Sequence, residues 1–391
     1  MSEETSLLAV VLDRPAAAAA IRGAWDRGEA VVVLDPTAPP AVLDGLLRRV
    51  RPTHLVDGDG RHRRADGVPV ADDVRAVVMT SGTTAGPKAV ELTAAGLDAA
   101  GAGCNTALGV EADDRWLVCL PLHHVAGLAI LARATVGGQR VMVHPSFDTD
   151  AVASAPRREQ STLVSVVPTM LGRLLDAAAP LHEYRQVVVG GAPLGATLRR
   201  RAEAAGVTVV DAYGLSETWG GFVLDGVPIP GAEVDVGPDA EIRARGPMML
   251  RGYRFDPDGT DAVLDTEGWF RTGDTGDWGA DGRLRVVDRR RDLVITGGVN
   301  VSPTTVETVL ADHPDIADVC VSGAPDSDWG ERVVAFVVPR VGGAVPTVDE
   351  LRSFGRDRLR APELPRQVVA VDAIPRTSGG KAQRRRLPIP D

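Results

Sequence analysis

Short apolar runs alternate with alanine- and leucine-rich stretches of helical length. The runs at residues 74–80, 117–122, 139–144, 162–167, 186–189 and 207–211 are short and nearly continuous, as strands buried on both faces should be. Between them, residues 94–108, 169–178 and 194–204 have the length and composition of helices. This rhythm predicts an α/β domain with largely parallel sheets. The texture changes after Gly231, where Gly, Asp and Arg become frequent. Short antiparallel strands at 241–245 and 284–287 are expected there, as a small β-barrel-like part. A third pattern starts near Asp292: strand 293–295, helix 303–313, strands 319–322 and 332–338, helix 348–359, strand 367–371. Ser302 before Pro303 forms an N-cap and N1 pair, and Thr347 with Glu350 has capping-box spacing. The pattern predicts a small α+β C-terminal domain, with domains at 1–290 and 291–391.

Composition narrows the class. At 44% apolar and 25% charged residues, the 391-residue chain is an ordinary globular protein. Its 53 acidic and 43 basic residues give a net charge of −10, which argues against nucleic-acid or membrane-surface partners. Cys104, Cys119 and Cys320 are far apart and odd in number, which fits a reducing cytoplasm better than a disulfide framework or zinc site. No run of about 18 apolar residues is present, so no membrane insertion is expected. The N-terminus MSEETSLLAVVLDRP begins acidic and lacks the basic start of a secretory signal.

Several polar stretches carry chemistry. Residues 80–88 read TSGTTAGPK after a probable strand. Backbone N–H groups, hydroxyls and one lysine there suit an anion such as phosphate. The stretch is not a Walker A loop: Gly82 and Gly86 are too close, Pro87 precedes Lys88, and Ala89 stands where a hydroxyl would bind magnesium. Glu217, in YGLSET, is a candidate metal-binding carboxylate against phosphate, or else a glutamate favoured by a helix N-terminus. His123 and His124 lack an evident third ligand and do not read as a metal pair. Asp274 closes GWFRTGD, where a carboxylate at a turn accepts ribose hydroxyls or forms an Asx-turn. The basic tail RTSGGKAQRRR reads on composition as a solvated charge run.

These stretches, in this order, resemble the adenylate-forming superfamily of acyl- and aryl-CoA synthetases, luciferases and adenylation domains. The matching motifs are TSGTTAGPK, PLHHVAG (121–127), GGAPL (190–194), YGLSET (213–218), GWFRTGD (268–274), DRRRDLVITGGVNVSP (288–303) and PRTSGGK (375–381). The resemblance implies that Thr80, Ser81, Gly82, Thr83, Thr84 and Lys88 hold the ATP phosphates, with Thr218 touching phosphate. It implies that Gly190, Gly191, Ala192, Pro193 and Tyr213 lie against the adenine, that Asp211, Ala212 and Gly214 also bind ATP or AMP, and that Asp274, partnered by Arg289, holds the ribose. Glu217 would hold Mg²⁺ and Lys381 would be the catalytic lysine, while the arginines after it are read as solvated. The acyl and CoA channel would be lined by His124, Val167, Thr169, Ser216, Gly220, Gly221, Gly297 and Gly298.

The implied reaction joins a carboxylic acid to CoA at the expense of ATP, through an acyl-adenylate. Lys381 would serve the first half, and rotation of the C-terminal domain about Arg291 would remove it for the second. Residues 213–236, YGLSETWGGFVLDGVPIPGAEVDV, resemble in particular the o-succinylbenzoate–CoA ligases of menaquinone biosynthesis. Other aryl- or short-acyl-CoA ligases, a carrier-loading module and a non-catalytic nucleotide-binding homologue stand as alternatives, and the reading admits a homodimer. The chain departs from the superfamily pattern in the order of Ala85 and Gly86, and in Val299 and Ser302, where a glutamate and an aromatic are usual.

Overall fold

Strand Leu163–Val166 is buried at every residue, because LVSV lies mid-sheet between parallel neighbours with both faces covered. In this computed structural model, which describes residues 4–80, 87–376 and 382–389, that strand belongs to a seven-stranded sheet. The sheet order is Arg140–Val143, Arg115–Val118, Leu163–Val166, Gln186–Gly190, Val209–Leu215, Gly220–Leu224, Val227–Pro228. The first five strands are parallel and the last two antiparallel. Parallel neighbours need crossovers, and helices Val125–Gly137, Thr149–Glu159 and Pro168–Asp176 lie in three of them.

A second seven-stranded sheet runs Gly252–Tyr253, Ala89–Thr93, Val74–Met79, Ala30–Val33, Leu7–Val10, His54–Asp57, Gly60–Arg63. Its parallel centre uses strands from the first 60 residues, where the sequence pattern alone suggested no elements. The signals are short: LLAV and AVVV are only four residues each, though wholly buried. Asp13 accepts from the Ala16 amide and caps helix Arg14–Asp26, with Pro in its first turn. Arg254 is buried against this sheet and donates to Glu91 at 2.9 Å and to the carbonyls of Val50 and Val68 at 2.8 and 2.6 Å. Losing one partner of such a pair leaves an uncompensated buried charge, at about 3–5 kcal/mol.

The chain divides into two compact units. One comprises residues 1–191, 201–235 and 243–272; the other 192–200, 236–242 and 273–391. The division does not fall at the expected 290/291. The Ser302 hydroxyl and the Thr304 amide both donate to the Asp288 carboxylate, at 3.0 and 2.8 Å, and tie residues 273–290 to the second unit.

The second unit holds a five-stranded sheet. Strand Gly330–Pro339 pairs antiparallel with Ile316–Asp326 over ten residue pairs, parallel with Gln367–Ala370, and at one end with Val294–Thr296, itself paired with Val299–Val301. Helices Pro303–Leu310 and Val348–Gly355 cover a core of Val306, Leu310, Val321, Val333, Val337 and Leu351. Both expected caps are present. The Ser302 hydroxyl accepts from the Thr305 amide, and Thr347 and Glu350 form a reciprocal capping box. Among the described residues, no helix is long and apolar enough to cross a membrane.

Candidate active site

In the first unit the candidate residues cluster where the parallel strands end, the usual place for a ligand on an open α/β sheet. Strand Leu163–Val166 leads to buried Val167, then to exposed Thr169 in the first turn of helix Pro168–Asp176. Strand Gln186–Gly190 ends at Gly190, opposite Ala212 of the neighbouring strand. A Cβ on Gly190 would sit 2.9 Å from the Ala212 carbonyl oxygen, so this glycine is required by strand contact. Gly191 and Pro193 are exposed and Ala192 half-buried.

Strand Val209–Leu215 carries Asp211, Ala212, Tyr213 and Gly214. A register shift falls between Tyr213 and Gly214 against strand Gly220–Leu224. A Cβ on Gly214 would lie 2.0 Å from the Gly220 carbonyl oxygen, so only glycine lets the chain pass. The Tyr213 ring packs on Phe222 with centroids 5.1 Å apart. The single turn Ser216–Thr218 follows.

Within that turn Glu217 and Thr218 part ways. Thr218 has no exposure, and its hydroxyl is engaged by the Gly220 carbonyl at 2.7 Å and the Leu215 amide at 3.0 Å. The Thr218 hydroxyl therefore holds the turn. Glu217 is only half-buried and accepts from the Tyr253 hydroxyl at 3.0 Å. The Lys88 ammonium lies 3.9 Å from the centroid of the same Tyr253 ring. Tyr253 thus links the cation and the carboxylate. It was missed in the sequence, since RGY carries no reactive signature, and a strand pairing to Ala89–Thr93 brings it in.

Thr80 donates its amide to the Lys88 carbonyl at 2.9 Å, and strands Val74–Met79 and Ala89–Thr93 are antiparallel. The candidate loop is therefore the connection of a β-hairpin, unlike a strand-to-helix phosphate loop. Ser81, Gly82, Thr83 and Thr84 lie outside the described residues, as does Lys381.

His124 precedes helix Val125–Gly137, its ring 4.4 Å from that of His123. Burial, then the neighbouring His123, lowers the His124 pKa to about 4, against a raising influence of Asp35. The ring is therefore neutral at pH 7. A histidine near 6.5 unfolded and near 4 folded binds its proton first in the unfolded chain. Stability is then complete above about pH 6.5 and is lost as pH falls toward 4. Burial lowers His123 as well, with the same sign. His124→Gln should flatten the fall in urea-unfolding free energy between pH 7 and 5; an unchanged slope would show that this histidine does not carry it.

The same helix, VAGLAILARATVG, holds a single arginine among apolar residues. Arg133 is 5% exposed, and its Nη1 has no hydrogen-bond partner among the described residues. Its guanidinium carbon sits 5.6 Å from the Trp116 ring centroid, and Nη2 is 3.8 Å from where a Cβ on Gly221 would stand. Gly220 needs glycine for its φ of 93°, but a Cβ on Gly221 would meet nothing closer than 3.5 Å. Of the two, then, only Gly221 would admit a Cβ, in ordinary contact with Ala212, Leu224 and Arg133. A lone cation in a helix whose other residues are apolar but for Thr135 was the sequence signal for Arg133.

In the second unit, Asp274 is 4% exposed and its Oδ1 is 2.7 Å from Arg289 Nε. The expected partnership is present. The expected turn is not, since Asp274 lies inside strand Phe270–Trp278, opposite Arg289. Arg291 lies in the short turn Arg290–Asp292, 3.7 Å from Asp292. Gly297 and Gly298, with φ of 57° and 76°, are the two-residue turn between Val294–Thr296 and Val299–Val301. A Cβ on Gly297 would lie 2.7 Å from the Trp329 ring, whereas one on Gly298 would meet nothing. The turn conformation thus explains both glycines, and Trp329 fills the space beside the first. Arg384 corrects the reading of a solvated tail, because its side chain is 14% exposed and paired with Glu307 at 2.8 Å.

Glu217 is presented, and among the described residues no group of three or more His, Cys, Asp or Glu is gathered for a metal. That donor set fits Mg²⁺, which takes one or two carboxylates, keeps waters and accepts the rest of its oxygens from substrate phosphate.

The fold and these residues define an AMP-binding enzyme, and the chain belongs to that family. Residues 59–254 match the AMP-binding enzyme model and residues 305–381 the model of its C-terminal domain. A probable 2-succinylbenzoate–CoA ligase from Mycobacterium tuberculosis is 38% identical, the match covering 82% of this chain and 85% of the relative. A 2-succinylbenzoate–CoA ligase from Bacillus licheniformis is 34% identical over 81% of this chain and 70% of its own. The solved o-succinylbenzoate CoA synthetase from Bacillus subtilis, in complex with the acyl-adenylate intermediate, has a TM-score of 0.87 at 26% identity, covering 99% of this chain and 88% of the other. The same Bacillus subtilis enzyme solved with ATP and magnesium ion is 27% identical, with a TM-score of 0.86, covering 98% and 90%.

Proposed function

We propose that the chain is an AMP-forming 2-succinylbenzoate–CoA ligase. The relatives' names give the class, and the observation that carries the substrate is Arg133, a buried guanidinium beside Gly221 with one nitrogen lacking a hydrogen-bond partner among the described residues. A substrate with two carboxylates can react through one and neutralise Arg133 with the other. The ring would lie against Gly221, with Val167 and His124 as further walls, and a neutral His124 adds no competing charge.

In the first half the free carboxylate attacks the α-phosphorus, and the α–β bridging bond breaks to release pyrophosphate. An anion meets a polyanion, so positioning and charge compensation supply the catalysis. Lys88 and the loop from Thr80 hold phosphate oxygens, Tyr253 keeps Lys88 and Glu217 in register, and Lys381 compensates developing charge. Bound at Glu217, Mg²⁺ supplies further positive charge to the phosphates. Asp274, oriented by Arg289, accepts from the ribose. In the second half the CoA thiolate attacks the acyl carbon and the acyl–phosphate bond breaks, releasing AMP. The open side of Gly298 suits the thiol arm, and rotation about Arg291 withdraws Lys381. Three free, buried cysteines are at home in the cytoplasm, where this reading places the reaction.

A panel of carboxylic acids assayed for AMP formation with CoA tests the proposal. 2-Succinylbenzoate should exceed benzoate and medium-chain fatty acids in kcat/KM by about 10³-fold or more, as sites built to pair a polar group discriminate. A higher value for benzoate or a fatty acid would make the chain a different acyl-CoA ligase.

A further inference from the structure

Residues 374–376 and 382–387 of the second unit flank Lys381 on its two sides. Ile374 and Leu387 are buried, at 6% and 5% exposure, in a cluster with Cys320, Val334 and Phe336. Apolar contacts of this kind are non-directional and hold a segment without choosing its register. Register comes from elsewhere. Arg376 pairs with Ala382 in an antiparallel bridge, and the Gln383 amide donates to the Pro375 carbonyl at 2.8 Å. Arg376 also donates to both oxygens of Asp318, at 2.8 and 2.9 Å.

The other anchor is less exposed. Arg384 Nη2 lies 2.8 and 2.9 Å from the two carboxylate oxygens of Glu307 on helix Pro303–Leu310. Arg384 Nε donates to the Val321 carbonyl at 2.9 Å, while the Val321 amide donates to Glu307 at 2.7 Å. The pair therefore occupies both backbone groups of Val321 on strand Ile316–Asp326, as a neighbouring strand would. A buried ion pair is weak evidence for stability, since apolar residues fill such space as well or better. Its fixed donor and acceptor directions do specify register.

We infer that Glu307 and Arg384 are positioning residues for the adenylation half-reaction, setting the register of the chain that carries Lys381. This rests on the reading of Lys381 in the proposed function. Lys381 stands three positions before Arg384, at most about 10 Å of extended chain. Arg384 opens the short turn Arg384–Arg386, and the bridge between Arg376 and Ala382 holds the two described flanks of Lys381 together. A misplacement of about 1 Å is enough to cost about 10²-fold in rate.

The test separates the half-reactions. Arg384→Met should lower kcat for acyl-adenylate formation about 10²-fold with KM for ATP within about threefold. Thioester formation from supplied acyl-adenylate should stay within about threefold, because Lys381 has left by then. In a Lys381→Ala background, Arg384→Met should add little further loss, since residues acting as a unit are non-additive. Should Arg384→Met fold poorly, Glu307→Gln keeps shape and acceptor and should show a smaller loss confined to the same half. Equal losses in both halves, or losses that multiply with Lys381→Ala, would overturn the inference and leave a purely structural ion pair. If Lys381→Ala alone leaves adenylation intact, the lysine reading itself fails and this inference falls with it.

Discussion

Arg133→Met should lower kcat/KM for 2-succinylbenzoate by about 10²- to 10³-fold, while benzoylpropionate, the same keto acid without the ring carboxylate, changes little. The argument starts from burial. Arg133 is 5% exposed and one guanidinium nitrogen has no hydrogen-bond partner among the described residues, an arrangement that leaves a buried donor unsatisfied. A carboxylate delivered there gains a charge-assisted hydrogen bond in a low-dielectric site. Truncating one member of such a buried pair costs about 2–5 kcal/mol, which sets the expected range. Methionine retains the stem that packs along the helix, so the change reports charge more than volume. Parallel steady-state kinetics on the two acids decides the matter. A common loss on both would make Arg133 a packing residue, and no loss on either would place the second carboxylate elsewhere.

Glu217→Gln should lower the rate of acyl-adenylate formation about 10²- to 10³-fold and raise the Mg²⁺ concentration needed for half-maximal rate. Glutamine still accepts from the Tyr253 hydroxyl, now at 3.0 Å, so the local link to Lys88 survives while the negative charge is lost. Thioester formation from supplied acyl-adenylate involves neither the β- nor the γ-phosphate and should be nearly unchanged. Measuring pyrophosphate release against Mg²⁺ for both proteins supplies the comparison. An unchanged Mg²⁺ dependence, with equal losses in both halves, would remove Glu217 from metal binding.

The order of apolar runs and breaks determined the α/β character of residues 74–211 by itself, because strands covered on both faces must be short and continuously apolar. Local chemistry was equally legible: the Ser302 cap and the Thr347–Glu350 box depend on residues within three positions, and both appear as expected. The partnership of Asp274 with Arg289 followed from the motif resemblance, although the carboxylate sits in a strand where a turn was expected.

What tertiary structure decided depends on contacts between residues far apart in the chain. The first 60 residues supply central strands to a sheet whose other members lie beyond residue 70, so their four-residue runs gain meaning only from their neighbours. Tyr253 reaches Glu217 across 36 positions, and Arg384 reaches Glu307 across 77. A charge run looks solvated in sequence because nothing nearby can bury it; a glutamate on a distant helix does. Arg133 shows the reverse case. Its isolation in an apolar helix was visible in the sequence, but its unpaired nitrogen and its approach to Gly221 belong to packing alone.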